Sequence, residues 1–428
     1  MTLLAKGSPL LDLSDEEIDS LFSEALSRAL DKIKNSSPVL ILPPDITRFY
    51  SRAGFLTDLA ARELGAHLGA VMPALGTHMP MTQEEQRRMF PGTPGNLFRV
   101  HDWRSDVLTL GRIEESFVEK LTEGKVSYDW PVQVNKILPE GGFSMILSPG
   151  QVVPHEVTGM ANHSKNILVG TGGKEAIDKS HFAGASYGME RIMGRADTPI
   201  RAIFDEGLRR FGDMIPPVLY ALTVVGPRSD ASLAVRGLYV GFGRECFEEA
   251  AALARQVNVD ILDEPIKKAV VYLEPEEFRT TWLGNKAIYR TRMAMANNGE
   301  LIILAPGLER FGEDEGVDKL IRAFGYRPGR EILELAEKEK LIAENLSVAA
   351  HLIHGSSEGR FTVRYCPGPG VSRAEIESVG FAWGNLDEEL ARYDVKKLNS
   401  GWNTLGNGER IFFVPNPALG LWALKSNF

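Results

Sequence analysis

The sequence predicts an α/β protein: two α/β domains with the active site in the cleft between them. Three observations carry this. Short apolar runs of strand length alternate with stretches of helical periodicity, the pattern of βαβ units. Several of those runs end in polar loops containing His, Asp or Arg, as ligand-binding edges of parallel sheets do. At 428 residues the chain is long enough for two cores, and the alternation restarts after about Lys267.

In order, Ser14 and Glu17 form a capping box that opens a helix over 14–34. Pro38–Leu42 is a buried strand leading into Pro43-Pro44-Asp45-Ile46-Thr47-Arg48. A helix over 52–64 and a strand over 70–75 follow, and the strand runs into Gly76-Thr77-His78. Thr82 caps a helix from Gln83. Residues 92–130 read as irregular, with a helix over 114–121. Ser144–Leu147 is a strand that places His155 just beyond its end. A helix over 175–180 carries His181 at its C-terminal side. Helices over 200–211 and 245–256 flank a strand over 219–225. In the second half, strands are expected at 269–273, 301–304, 361–365 and 411–414. A helix over 284–297 is expected to end at the Asn298-Gly299 cap, and helices near Val317, Glu331 and Ala343 follow. This gives an N-terminal α/β domain over 1–262 carrying the cofactor and catalytic histidines, with 396–428 a candidate return to it. A C-terminal α/β domain over 267–395 closes the cleft, and the hinge lies at 260–267.

Composition narrows the function. The apolar fraction of 43% and charged fraction of 25% are those of a globular protein. The net charge of −9 argues against nucleic-acid or membrane-surface partners. The sequence contains no membrane-spanning apolar run and begins without the pattern of a signal peptide, so a cytoplasmic location is expected. Two distant cysteines, Cys246 and Cys366, fit a reducing compartment and exclude a Cys-based zinc cluster.

The stretch Gln151–His181 is the densest in chemistry. It holds His155, His163 and His181, out of eight histidines in the chain, together with Lys165, Lys174 and the turn Gly170-Thr171-Gly172-Gly173. Imidazoles supply metal ligands and proton carriers near neutral pH. A lysine beside them can be a nucleophile or covalent anchor, and Gly backbone can turn its N–H groups to a phosphate. The turn is not a P-loop: Leu168 stands where the first Gly is required and Glu175 follows Lys174. Gly241-Phe-Gly243 is a weak dinucleotide fingerprint, since Cys246 stands at its third glycine. HExxH and GxSxG motifs do not occur.

Laid out in order, Asp45-Ile46-Thr47-Arg48, Gly76-Thr77-His78, Pro154-His155, Lys165 and His181 resemble the nickel-dependent lactate racemase family. Both long spacings match (155 to 165, 165 to 181), and Gly159 is in place. The resemblance implies a nickel-pincer nucleotide, the pyridinium-3-thioamide-5-thiocarboxylic acid mononucleotide, as cofactor. It implies that Lys165 anchors the cofactor and His181 ligates nickel. His78 and His155 would be the two acid/bases, Arg48 would hold the substrate carboxylate, and Asp45 would support the cofactor. It implies racemisation or epimerisation of a small-molecule 2-hydroxy acid by reversible hydride transfer through a 2-keto acid. The chemistry is coherent with the residues: the C2–H of a hydroxy acid is too weak an acid for His, so hydrogen leaves as hydride while a base takes the hydroxyl proton. An Arg fork fixes the carboxylate.

Two departures matter. The family's Ser-Gly-Gly before the lysine is Ala161-Asn162-His163 here, which moves the expected phosphate contact to Gly172 and Gly173 and offers His163 as a second imidazole near the metal. Its Tyr-Gln-x-x-Lys segment is Tyr289-Arg290-Thr291-Arg292-Met293. Arg290 adds a second cationic fork and tilts the expected substrate toward a malate-like dicarboxylate, with lactate and sugar acids as alternatives. Two other classes of function remain open: a metal-dependent lyase or dehydrogenase with His78, His155 and His181 on one ion, and a non-catalytic binder of an acidic metabolite. The oligomeric state is not legible.

Overall fold

The computed structural model describes residues 1–33, 37–228 and 232–428. The last position of the expected first helix, Lys34, lies outside them. The chain forms two compact units. The first comprises Met1–Ala183 and Ile192–Asn258, the second Gly184–Arg191 and Val259–Phe428. Both are α/β.

The first unit is built on a six-stranded sheet. Its strands are β1 (Thr2–Gly7), β2 (Val39–Ile41), β3 (Leu68–Val71), β4 (Met145–Gln151), β5 (Val218–Pro227) and β6 (Leu233–Gly241), in the spatial order β1-β6-β5-β4-β2-β3. β3, β2, β4 and β5 run parallel, while β6 is antiparallel to both β5 and β1. β2 and β4 are buried at every position, as continuous apolar strands covered on both faces should be.

Helices α1 (Asp15–Ile33) and α2 (Ala53–Leu64) pack on this sheet. The predicted capping box opens α1: Ser14 and Glu17 exchange backbone-to-side-chain hydrogen bonds of 3.0 and 3.2 Å. Ile18, Phe22, Ala25, Leu26 and Ala29 then fall on one stripe and are buried.

The segment read as irregular contains an antiparallel pair, Val107–Ile113 with Trp130–Asn135. In the second unit the sheet is β10-β9-β8-β7-β12-β11. Its strands are β7 (Ile266–Tyr272), β8 (Met295–Ala305), β9 (Thr362–Pro367), β10 (Ala382–Trp383), β11 (Gly401–Thr404) and β12 (Arg410–Val414). All are parallel except β11. The helix expected over 284–297 is replaced by two short helices, Thr281–Gly284 and Lys286–Thr291, and by the start of β8. Asn298 adopts a left-handed φ of 60° inside β8 instead of ending a helix. β8 pairs on both sides, with β7 and β9, and ladder bonds plus burial override the helical propensity of Ala and Met.

Residues 396–428 lie in the second unit instead of completing the first. They supply β11 and β12, and Leu421–Leu424 pairs with Val259–Leu262. Among the described residues no helix is long and apolar enough to cross a membrane.

Candidate functional site

Three neighbouring parallel strands, β3, β2 and β4, deliver the site. Beyond β2 the chain passes Pro43 and Pro44 and enters a 3-10 turn, Ile46–Ser51. Asp45 caps this turn by accepting the Thr47 N–H at 3.1 Å. Beyond β3 the Ala74 N–H donates to Pro43 O at 2.8 Å, tying the two loops together. Gly76 then turns with φ 59° and donates its N–H to Gly170 O at 2.9 Å. This sets His78 beside Asp45, with Nδ1 2.6 Å from Oδ2.

A carboxylate at that distance takes the Nδ1–H, so Nε2 keeps its lone pair and any imidazolium formed is stabilised. Burial opposes ionisation of Asp45. Attraction to His78, hydrogen bonds from His78 and Thr47, and the nearby Arg48 charge outweigh it and hold the carboxyl below its ordinary range.

Beyond β4, Pro154–His155 pairs with Gly159–Met160 in a tight antiparallel turn that needs the positive φ of Gly159, 81°. His155 is buried, and the Val157 N–H donates to its Nδ1 at 3.2 Å. The neutral ring therefore carries its proton on Nε2.

Lys165 lies on α3 (Ser164–Leu168). His181 lies on α4 (Lys174–Tyr187), where its Nδ1–H donates to Ile177 O at 2.8 Å. That bond leaves the His181 Nε2 lone pair available to a metal.

The electrostatics put these groups in one cluster. Burial, then the charge of Arg48, pulls the Lys165 amine down to about 8, against the opposing pull of Glu156 and Asp45. Burial, then Lys165, lowers His181 to about 4. His155 is driven well below its ordinary value by burial; Glu156 opposes this, and Lys165, Arg48 and His181 add to it.

Other residues singled out from the sequence stand elsewhere. Gly172 and Gly173 are buried, and a Cβ on either would run into Leu168 O at 2.2 Å or Gln133 Oε1 at 2.6 Å. Close packing against backbone thus requires glycine at 172, while at 173 the Gln133 side chain would have to move. His163 does not join His181: its ring packs against Tyr220 and Phe247 at 4.2 and 5.2 Å. Lys174 is ion-paired with Asp178 on α4. Arg290, in the second unit, is buried and donates from Nη1 to Gly420 O at 3.2 Å. Arg292 pairs with Glu190 at 2.7 Å and donates to the Ser356 carbonyl. Among the described residues no three His, Cys, Asp or Glu side chains gather as a metal cluster.

Sequence reasoning passed over three contributors. Glu156, adjacent to His155, opposes the positive field on His155, Lys165 and His181. His101 is buried and bridges Asn135 Nδ2 and Gly172 O, each at 3.0 Å, which fixes the glycine turn. It is a lone His in an unpatterned stretch, and no spacing could have flagged it. Arg201 is fully buried. Its signal was its place three residues before Phe204, on the apolar stripe of its helix.

Residues 13–191 match a family model described as the lactate racemase N-terminal domain. No curated protein matches the sequence. Among solved structures, a protein from Thermotoga maritima superposes with a TM-score of 0.82 at 24% identity, covering 97% of this chain and 100% of that one. The lactate racemase apoprotein from Thermoanaerobacterium thermosaccharolyticum superposes with a TM-score of 0.70 at 15% identity, covering 98% and 94%.

Proposed function

We propose, on the premise that residues 13–191 belong to the lactate racemase N-terminal domain family, that this protein racemises or epimerises a 2-hydroxy acid with a Lys165-tethered nickel-pincer nucleotide. The observation that carries the reading is the Asp45–His78 pair at 2.6 Å, with the charges of Arg48, His155, Lys165 and His181 acting on one another.

The residues fit such a cofactor. A lysine with proton affinity lowered to about 8 has a substantial neutral fraction near neutral pH, which acylation of its amine requires. His181 offers one imidazole nitrogen, a suitable donor for nickel. When bound, this cofactor supplies an electrophilic ring that accepts hydride from substrate C2.

The chain's own residues do the rest. Arg48 fixes the substrate carboxylate. His78 takes the hydroxyl proton at Nε2, and Asp45 stabilises the resulting imidazolium. His155 holds substrate oxygen through its Nε2–H. For His155 to act as base, its proton must move to Nδ1 and the Val157 contact must open.

The test is intact-mass and nickel analysis of protein from cells that make the cofactor, with single enantiomers as substrates. Added mass should vanish in Lys165→Ala but persist in Lys174→Ala, and His181→Ala should lose most of its nickel. Unmodified Lys165 in active protein sinks the reading.

The same assay decides Arg290. As a substrate fork it selects malate over lactate by a margin reflecting several kcal/mol, on the order of the cost of an unpaired buried charge. As a group held by Gly420 for structure, it leaves lactate turning over equally fast.

A further inference from the structure

The turn that presents Lys165 is strained, and one buried side chain holds it. Asn162 and His163, the two residues before α3, have left-handed φ values of 68° and 57°, and ψ at His163 is −133°. Side chains rarely adopt that backbone, and each such residue costs on the order of 1–3 kcal/mol unless its surroundings over-determine it. His163 is the N-cap of α3 but makes no side-chain cap bond. Its N–H donates to the Asn162 Oδ1 at 2.7 Å. Its Nδ1 is buried, 4.0 Å from Asp205, and has no hydrogen-bond partner among the described residues. Neither local geometry nor capping explains why the chain stays in this shape.

What holds it comes from α5 (Pro199–Phe211). Thr198 caps α5 by accepting the Arg201 N–H at 3.1 Å, and the Thr198 hydroxyl donates to Thr158 O at 3.2 Å. The Arg201 guanidinium then reaches into the turn and donates to three acceptors. Nη1 bonds Asn162 O at 2.9 Å and Ser164 Oγ at 3.0 Å, and Nη2 bonds Met160 O. These acceptors span the strained pair on both sides. Its carbon CZ lies 4.4 Å from the centre of the Phe247 ring, which also packs against His163. Ser164 donates onward to Asp205 at 2.7 Å, and Asp205 is ion-paired with Arg244, so the clamp's anion is shared. Burial lowers Arg201 to about 10, a sign of how much solvation this placement gives up.

We propose that Arg201 is a positioning residue: its fork locks the Asn162–His163 turn and so fixes the Lys165 amine at the site. The geometry stands whatever Lys165 anchors; only its purpose rests on the function proposed above. The planar fork matters because three acceptors in different directions must be met at once. Glycine at 162 and 163 would remove the steric reason for the clamp.

Cofactor-free protein tests this without any assay of turnover. Lys165 is labelled with an amine-reactive isothiocyanate across a pH series, so that the limiting rate of the neutral amine is read apart from its proton affinity, which the Arg201 charge also lowers. Peptide mass spectrometry scores it, with Lys174 as the internal standard. Freeing a strained turn lowers the competent fraction, so Arg201→Met should slow Lys165 labelling about tenfold relative to Lys174. Arg201→Lys should restore only part of the rate, since a point ammonium cannot reproduce the fork's three bonds. Asn162→Gly/His163→Gly in the Arg201→Met background should restore it too, because the turn then needs no clamp.

If Arg201→Met does not fold, the thermal midpoints of Arg201→Lys with and without the glycine pair form a double-mutant cycle. The cost of Arg201→Lys should shrink in the glycine background. Wild-type labelling in folded Arg201→Met, no rescue by glycine, or strictly additive midpoints would each overturn the proposal. None of these outcomes depends on nickel, so failure here is distinguishable from failure of the racemase reading.

Discussion

Protonating the site histidines costs the folded chain more than the unfolded one. His181 sits at about 4 against 6.5 in water, and His155 and His163 lie well below their ordinary value, each chiefly through burial. Between those limits the unfolded chain binds more protons, so stability rises with pH across the window and falls as pH drops from about 6.5 to about 4. For His181 alone the loss is on the order of 2 kcal/mol, after allowance for its partial exposure. Denaturant unfolding of cofactor-free protein at neutral and at acidic pH should show His181→Gln losing less stability than wild type. Equal losses would mean that the ring is solvated and not held by Ile177. Lys165 has the same sign in a higher window: with its amine at about 8, folded stability climbs from there toward 10.5.

At the scale of elements, the turn after β4 is the most constrained. A methyl on Gly159 would meet Arg195 O at 2.0 Å while the backbone holds φ 81°. Gly159→Ala should cost about 2–4 kcal/mol in thermal or denaturant unfolding, from a left-handed backbone and a backbone clash together. A variant within half a kcal/mol of wild type would show that the turn can relax.

The elements that carry Asp45, His78 and His155 were readable because Val39–Ile41 and Met145–Leu147 are uninterrupted apolar runs ending in polar loops. β1 and Val107–Ile113 were not read because they have mixed exposure and interleaved polar residues, as in Leu-Thr-Leu-Gly-Arg; β6, largely buried, is broken in sequence by Arg236-Gly237. The expected strand over 301–304 falls within β8, but the start of β8, from Met295, was read as the end of a helix because Ala294 and Ala296 form helix locally, and its strand character there comes from its neighbours. Arg201 showed only as a charge on the apolar stripe of its helix, because its acceptors Met160 O and Asn162 O are backbone atoms that leave no mark in the sequence. Glu156, partly exposed, acts through its charge.

The whole molecule is not two consecutive halves. Gly184–Arg191 belongs to the second unit although it lies within the first unit's span. It carries Glu190, the ion-pair partner of the buried Arg292. A fragment starting at Val259 would keep that buried guanidinium and lose its nearer carboxylate, leaving it Glu358 at 3.8 Å. Such a fragment should show no cooperative thermal transition by circular dichroism. A sharp transition matching one seen in the full chain would show that Gly184–Arg191 is dispensable.

Strand β1 has one further consequence, at the ribosome. Thr2–Gly7 pairs with Leu233–Gly241 alone among the described strands. Strand β1 therefore waits, during synthesis, for a partner more than 220 residues further along the chain. At roughly 5–20 residues per second that interval is on the order of tens of seconds. Throughout it Leu3, destined for the core, stays unprotected. Soluble yield should accordingly respond to translation speed between Gly7 and Gly241, even where the finished fold is indifferent to it.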